Sequence, residues 1–209
     1  MLTLESDGEE ENDNENEEEE QNKRLRATEN DKRSYIKQCE RVLRLLQLMC
    51  EGHFGPLQNH LRVQMTPAER KNPKSIDFIA KCSNLLSIYV KSYVNCYSTE
   101  FGTQLIDALV EFVQGPCREN QNTLVDTKVI DCGRDLLSKG NQNEEDMELM
   151  GFTGDKKEML DGLKSNSLKL FLSILEGPVD EIIFDKVANA LGDFQIVVMR
   201  MKQLFETFV

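Results

Sequence analysis

The sequence predicts an all-α protein, and three observations support this. From Tyr35 onward, apolar residues recur at spacings of three and four, which is the period of an amphipathic helix. The apolar stretches are interrupted where glycine and proline would end a helix, at Gly52, Gly115-Pro116, Gly140 and Gly177-Pro178. Alternating apolar and polar runs and Asn-Gly hairpin turns, the usual signs of strands, do not occur. Antiparallel helices with short connections favour an armadillo-like α-solenoid segment, with a small helical bundle as the alternative.

Charge divides the chain into a tail and a helical domain. Of the 37 acidic residues, eleven lie within residues 1–22, which contain no basic residue, and this leaves 26 acidic against 25 basic residues elsewhere. Such a stretch buries too little apolar surface to offset the entropy of ordering it. We therefore predict a disordered acidic tail over residues 1–30 and one helical domain over residues 31–209. With no basic excess in the domain and a tail that repels phosphates, nucleic acid is not expected as a partner.

Composition also indicates in which cellular compartment the protein is expected. No run of 18 apolar residues occurs, so direct membrane insertion of this segment is not expected. The beginning of the chain lacks the basic and apolar regions of a signal peptide. The six cysteines contain no Cys-x-x-Cys pair and are typical of free thiols in a reducing cytosol; they are Cys39, Cys50, Cys82, Cys96, Cys117 and Cys132.

The periodic stretches predict individual helices and their ends. The first helix stops at Gly52 and carries an apolar stripe of Tyr35, Cys39, Val42, Leu43, Leu46, Met49 and Cys50. A short helix begins at Pro56, and a loop covers residues 66–74. Ser75 is the expected N-cap of a third helix with Ile76 on its apolar face, and Thr99 that of a fourth with Leu105, Ile106, Leu109, Val110 and Val113 inward. Further helices are predicted over 117–126, 128–139, 156–176, 179–191 and 193–209, with a surface loop over 141–155.

Two glutamates occupy electrostatically unfavourable positions. Glu51 lies just before Gly52, and Glu111 lies four residues before Gly115, so each faces the negative end of a helix dipole. Asp107 adds a like charge one turn before Glu111. Two helix ends that each present a glutamate and free carbonyl oxygens would favour a hard cation between them. The alternative is that both glutamates are solvated surface acids.

Motifs for catalysis are not found. The sequence contains no P-loop, GxSxG, HExxH or EF-hand loop, so an enzyme is not expected. Cys50-x-x-His53 has a spacing known from zinc sites, but a structural zinc normally has four such ligands and no second pair accompanies this one. Cys50 is therefore expected to pack in the core.

Three segments carry a resemblance to a known family. Residues 43–64 (LRLLQLMCEGHFGPLQNHLRVQ), 109–122 (LVEFVQGPCRENQN) and 163–177 (LKSNSLKLFLSILEG) resemble the RIH-associated domain of ryanodine and inositol trisphosphate receptors. The resemblance is collinear from about residue 34 to 209 and excludes the acidic tail and residues 141–155. CEGH and SILEGPV are nearer to the ryanodine receptor pattern, whereas RENQN and LKSNSLKL are nearer to the inositol trisphosphate receptor pattern.

The resemblance implies roles for four residues. In that family, two glutamates of these motifs bind activating calcium, and they match Glu51 and Glu111 here. A histidine and a glutamine beside that site correspond to His53 and Gln114. The remaining ligand comes from a backbone carbonyl near the channel's C-terminus, which this chain lacks. Since calcium takes 6–8 oxygens and two carboxylates supply at most four, the isolated chain is expected to bind calcium weakly.

The resulting functional hypothesis is a non-enzymatic regulatory module of an intracellular calcium-release channel, which couples calcium binding to pore opening. Its expected partners are the remainder of a tetrameric channel or neighbouring solenoid segments, at the cytosolic face of the endoplasmic or sarcoplasmic reticulum membrane. The alternative is a free-standing, cytoplasmic armadillo-like scaffold that binds other proteins.

Overall fold

The computed structural model describes residues 30–65, 68, 72–139, 144–177 and 181–192. These residues are mostly helical and contain no β-strand, which confirms the all-α prediction; none of their helices is long and apolar enough to cross a membrane. Residues 30–50 form α1. Within the described residues, eight helices follow: α2 (Gly55–Arg62), α3 (Phe78–Ser92), α4 (Thr99–Val113), α5 (Arg118–Val125), α6 (Val129–Ser138), α7 (Glu144–Leu149), α8 (Lys157–Ile174) and α9 (Glu181–Leu191).

Contacts group the chain into two units, Met1–Arg41 and Val42–Val209. Within the second unit, α4 packs against α8, α3 and α5 and supplies much of the core. The predicted inward residues of α4 are confirmed, except that Val110 is only half-buried; those fully buried are Leu105, Ile106, Leu109 and Val113. The solenoid arrangement and the domain boundary after residue 30 stay predictions. Residues 1–29 and 193–209, where the tail and last helix are expected, lie outside the described residues.

The apolar stripe predicted on the first helix is buried only in part. Leu43 and Cys50 are buried and Leu46 packs against the core. Tyr35 and Val42, in contrast, are 67% and 56% exposed. The apolar stripe is therefore only partly a buried face, because spacing shows which residues are apolar but not which of them find a neighbour.

The start of α3 corrects a second prediction. Its N-cap is Asp77, whose side chain accepts a hydrogen bond from the backbone N–H of Ala80 at 2.9 Å, and not Ser75. The Ser75 hydroxyl instead donates to Oε1 of Gln64 at 3.0 Å, and the backbone N–H of Ile76 donates to the same oxygen at 2.7 Å. Because residues 75 and 76 are tied to the segment after α2, the helix begins beyond them and Ile76 is half exposed.

Residues 141–155 are not simply a surface loop as predicted. They contain α7 and the first residues of a 3₁₀ turn, Gly154–Lys156. Phe152 is fully buried, and its backbone N–H donates to the carbonyl of Met147 at 2.8 Å. The backbone N–H of Cys96 also donates to the carbonyl of Met150 at 3.0 Å. One buried aromatic side chain and these backbone bonds anchor a segment whose polar composition resembles a loop.

Candidate cation site

Glu51 directly follows α1, in a tight turn. Gly52 and His53 both have positive φ angles, 74° and 59°, a left-handed conformation that glycine adopts freely and histidine more readily than most residues. Glu51 and His53 are exposed, whereas Cys50 is fully buried, as the sequence predicted. The turn thus holds a carboxylate and an imidazole at the surface.

Glu111 lies in the last turn of α4 and is half-buried. Beyond it, Gln114 is the C-cap residue and Gly115 has a φ of 92°. The buried side-chain amide of Gln58 donates to the backbone oxygens of Glu111 and Gln114, both at 2.8 Å. The expectation that this helix end offers free carbonyl oxygens to a cation is therefore wrong for these two. A buried amide requires acceptors, and it takes them here.

The turn after α1 lies against the turn after α4. A Cβ atom added at Gly115 would be 2.3 Å from the Cβ of His53, so the backbone of Gly115 and the side chain of His53 are in direct contact. The predicted pair Glu51 and His53 and the predicted pair Glu111 and Gln114 thus belong to two adjoining turns. Shared binding of one cation by the two carboxylates stays a prediction.

Electrostatics links the two turns. Burial raises the pKa of the Glu111 carboxyl, and the negative charges of Glu51 and Asp107 raise it further. The charges of His53 and Arg44 act in the opposite direction and lower the pKa. The charge of Glu51 therefore acts unfavourably on the ionised form of Glu111. A cation between them would relieve this repulsion.

The thiols of this region are held in the protonated form by burial. Burial, followed by the charge of Glu111, raises the pKa of Cys50 to about 12. Burial also raises the pKa of Cys117. Because the thiolate is the form that binds zinc and attacks electrophiles, these cysteines are poor candidates for either role. All six cysteines are free, as expected, and only Cys39 is exposed.

A complete metal site is not formed by the side chains that the structure describes. Among them, no group of three or more His, Cys, Asp or Glu side chains is arranged to hold a metal ion. A calcium ion coordinated by Glu51 and Glu111 would therefore need oxygens from water or from another segment.

Asn120 holds the end of α4 to α2, and the sequence pattern did not single it out. Its fully buried amide donates to the backbone oxygens of Gln58 at 2.9 Å and of Phe112 at 2.8 Å. Together with Gln58 it fixes the helix turn that carries Glu111. A signal was present in the sequence: Asn120 precedes the apolar Leu124 by four residues, which places a polar side chain on the buried face of α5.

Gln121 and Glu176 hold the same turn from the side of α8. The buried amide of Gln121 donates to the backbone oxygens of Ser173 at 2.9 Å and Glu176 at 3.1 Å. The Oε2 of Glu176 accepts a hydrogen bond from the backbone N–H of Gly115 at 2.9 Å. The segment from Gln114 to Cys117 is therefore fixed on one side by the α1–α2 turn and on the other by the end of α8.

A cavity of about 510 Å³ lies apart from the two turns. Its lining comes from α3, α6, α7 and the residues that follow the last two, and includes Val90, Asp135 and Leu149. None of the predicted site residues lines it, so the candidate cation site lies in a surface junction between turns and not in this cavity.

The fold and the two motif-bearing turns define a helical domain of a known class. The chain belongs to the family described as RyR and IP3R Homology associated, whose model matches residues 33–137 and includes both turns. Residues outside that match also have a relative. The chain is 31% identical over 177 residues to the inositol 1,4,5-trisphosphate receptor itr-1 of Caenorhabditis elegans, a match that covers 80% of this chain and 6% of the receptor. The chain thus spans about 6% of the length of this relative.

Proposed function

We propose that this chain is a regulatory module of an intracellular calcium-release channel of the ryanodine and inositol trisphosphate receptor type. It performs no catalysis. It lies at the cytosolic face of the endoplasmic or sarcoplasmic reticulum membrane and packs on the remainder of a tetrameric channel. The family membership and the similarity to a receptor named for inositol 1,4,5-trisphosphate support this proposal.

The proposed activity is calcium sensing. Glu51 and Glu111 bind Ca²⁺ directly, while His53 and Gln114 orient the two carboxylates. The observation that carries the proposal is the junction of the two turns, in which His53 contacts Gly115 and the charge of Glu51 acts on Glu111. Carboxylate oxygens are ligands that calcium prefers.

Coupling to the pore follows if the site binds Ca²⁺ more tightly in one state of the channel than in the other. If a further oxygen ligand comes from another part of the channel, it completes the calcium shell only where that part lies against the junction. Calcium then binds one state of the channel more tightly and shifts the equilibrium toward it. Two carboxylates without that ligand bind calcium weakly.

Calcium binding to the chain itself can be measured residue by residue. Amide NMR resonances of Gly52 and Gly115 report on the two turns and are separate from those of the acidic residues 1–22. We expect both to shift during a Ca²⁺ titration of the whole chain, and the shifts to disappear in Glu51→Gln and Glu111→Gln. The amide removes one charged ligand and keeps the shape of the side chain. Glu145→Gln, an exposed acid on α7, is the matched control. If the parent chain and its three variants showed identical shifts of these resonances with Ca²⁺, the site would be excluded.

Channel function requires a second experiment. A receptor in which this segment replaces the equivalent one should need more calcium to open when it carries Glu51→Gln or Glu111→Gln. Neither variant should destabilise the isolated chain, because neither carboxylate is deeply buried. Calcium activation that is unchanged in both variants would contradict the sensing role.

A free-standing scaffold is the second candidate, and exposed apolar side chains favour it. Val42, Leu45 and Leu48 on α1 are 56%, 58% and 45% exposed, and Leu172 on α8 is 70% exposed. These exposed apolar side chains are available for contact with further protein. A scaffold would bind partners irrespective of Ca²⁺, so a calcium response at Gly52 and Gly115 separates the two candidates.

A further inference from the structure

Polar residues of α1 and α4 form a seam that ends at the candidate cation site. On α4, Gln104, Asp107 and Glu111 follow one another at spacings of three and four, and such residues share one face of a helix. Arg44, Gln47 and Glu51 have the same spacing along α1 and the residue after it. We call these six residues the α1–α4 seam.

A hydrogen bond joins the two halves of the seam, and a second one within α1 meets it at the same oxygen. Nε2 of Gln104 donates to Oε1 of Gln47 at 2.8 Å, across the helix pair. Nη1 of Arg44 donates to the same Oε1 at 2.9 Å. Arg44 and Gln104 therefore donate to one and the same oxygen of Gln47, and Gln104 precedes Glu111 by about two helical turns on α4.

The seam brings this positive charge near two acids. Asp107 is half-buried, and burial raises the pKa of its carboxyl, while the charges of Lys169 and then Arg44 lower it. Arg44 has the same lowering effect on the pKa of Glu111. Arginine remains charged at any physiological pH, so this influence is permanent.

We propose that Arg44 is an internal counter-ion of the cation site, and that its charge sets how tightly Glu51 and Glu111 bind a divalent cation. In the empty site the guanidinium offsets part of the repulsion between the acids. When Ca²⁺ binds, the same charge opposes the ion. The inference rests on the proposed function and adds a residue that adjusts the calcium affinity of the site.

The expected effect is moderate and depends on salt. A unit charge about two helical turns (~10 Å) from a divalent ion, in a medium close to water and screened by about 50 mM salt, changes affinity roughly twofold. In the whole chain, Arg44→Gln should tighten Ca²⁺ binding at the Gly52 and Gly115 amides by this factor in about 50 mM KCl. In about 0.5 M KCl the difference should shrink toward none, because salt screens the charge. If Arg44 had a purely structural role, the affinity difference between Arg44→Gln and the parent would not shrink with added salt.

Two control variants isolate the charge. Arg44→Lys keeps the positive charge and should bind Ca²⁺ like the parent. Lys81→Gln removes a charge from an exposed position of α3 and should also leave the affinity unchanged. If Arg44→Gln binds Ca²⁺ no more tightly than the parent while Glu51→Gln abolishes the response, the counter-ion role is overturned and the proposed function stands.

A measurement without calcium tests the same contact. The pKa of Asp107, followed by NMR of its side-chain carboxyl, should rise in Arg44→Gln, which loses a positive charge that lowers it, and not in Lys81→Gln. An unchanged Asp107 pKa overturns the inference. If no protein shows a calcium response at Gly52 and Gly115, the proposed function fails, and the role of Arg44 in affinity fails with it.

Discussion

Replacement of Gln58 by methionine tests how the end of α4 is held. Gln58 is 2% exposed, and its amide nitrogen serves two backbone oxygens, those of Glu111 and Gln114, at 2.8 Å each. Methionine has a similar length and no donor, so Gln58→Met keeps most of the packing and removes both hydrogen bonds. The bond from Asn120 to the Gln58 backbone oxygen does not depend on the side chain.

The cost follows from the two orphaned acceptors. A buried carbonyl that loses its partner costs about 1–3 kcal/mol. Glu111 and Gln114 are half-buried, so water reaches their carbonyls in part. We therefore expect Gln58→Met to lower the free energy of unfolding by about 2–3 kcal/mol, a large share of the ~5–15 kcal/mol typical of a domain.

Urea unfolding followed by far-UV circular dichroism measures this difference. Gln104→Met is the matched control, since it removes one side-chain hydrogen bond on the half-exposed seam and should cost less than about 1 kcal/mol. Amide exchange should also become faster for the N–H of Gln114, which bonds to Val110. If the two methionine variants have equal stability, the network at the end of α4 does not stabilise the fold as argued.

Three further predictions concern stability. Gly102→Ala should destabilise α4, because its Cβ would be 2.4 Å from the ring of Tyr89. Gly162→Ala in α8 meets open space and should raise the free energy of unfolding by about 0.5–1 kcal/mol. The two variants should therefore shift Tm in opposite directions, and equal shifts would contradict this. Asp77→Ala removes the N-cap of α3 and should cost about 1 kcal/mol in urea unfolding; no loss would show that the cap is dispensable. Burial raises the pKa of Glu111 above its ordinary 4.5, so the folded state holds this proton more tightly than the unfolded state. Its contribution is full below pH 4.5 and is lost as the pH rises through the raised value. Glu111→Gln should lack this decline when urea midpoints are compared from about pH 4 to about pH 8.

The helices and most of their ends follow from local sequence. The apolar spacing of α4 predicts the burial of Leu105, Ile106 and Leu109, and the structure confirms it. Pro56 falls in the first turn of α2, as expected. Both features depend on residues within one or two turns of each other, so a pattern of three and four residues suffices. The pattern failed at Ser75, where side-chain bonds from Gln64 delay the helix start.

The residues of the candidate site stay a prediction, and the sequence did not give the geometry around them. Helix-end positions and the family resemblance both pointed to Glu51 and Glu111. The sequence could not show that Gln58 occupies the carbonyl oxygens of Glu111 and Gln114, because Gln58 is 53 and 56 residues away from them.

The sequence by itself therefore determined the helical class, the apolar faces and the presence of a glutamate at two helix ends, since these depend only on the order and spacing of residues along the chain. Only the tertiary structure decided that His53 packs on Gly115 and that Gln104 donates to Gln47 across the α1–α4 pair. Contacts between residues more than 50 positions apart depend on how whole helices pack. Polar side chains then satisfy whichever partners that packing brings within hydrogen-bond distance.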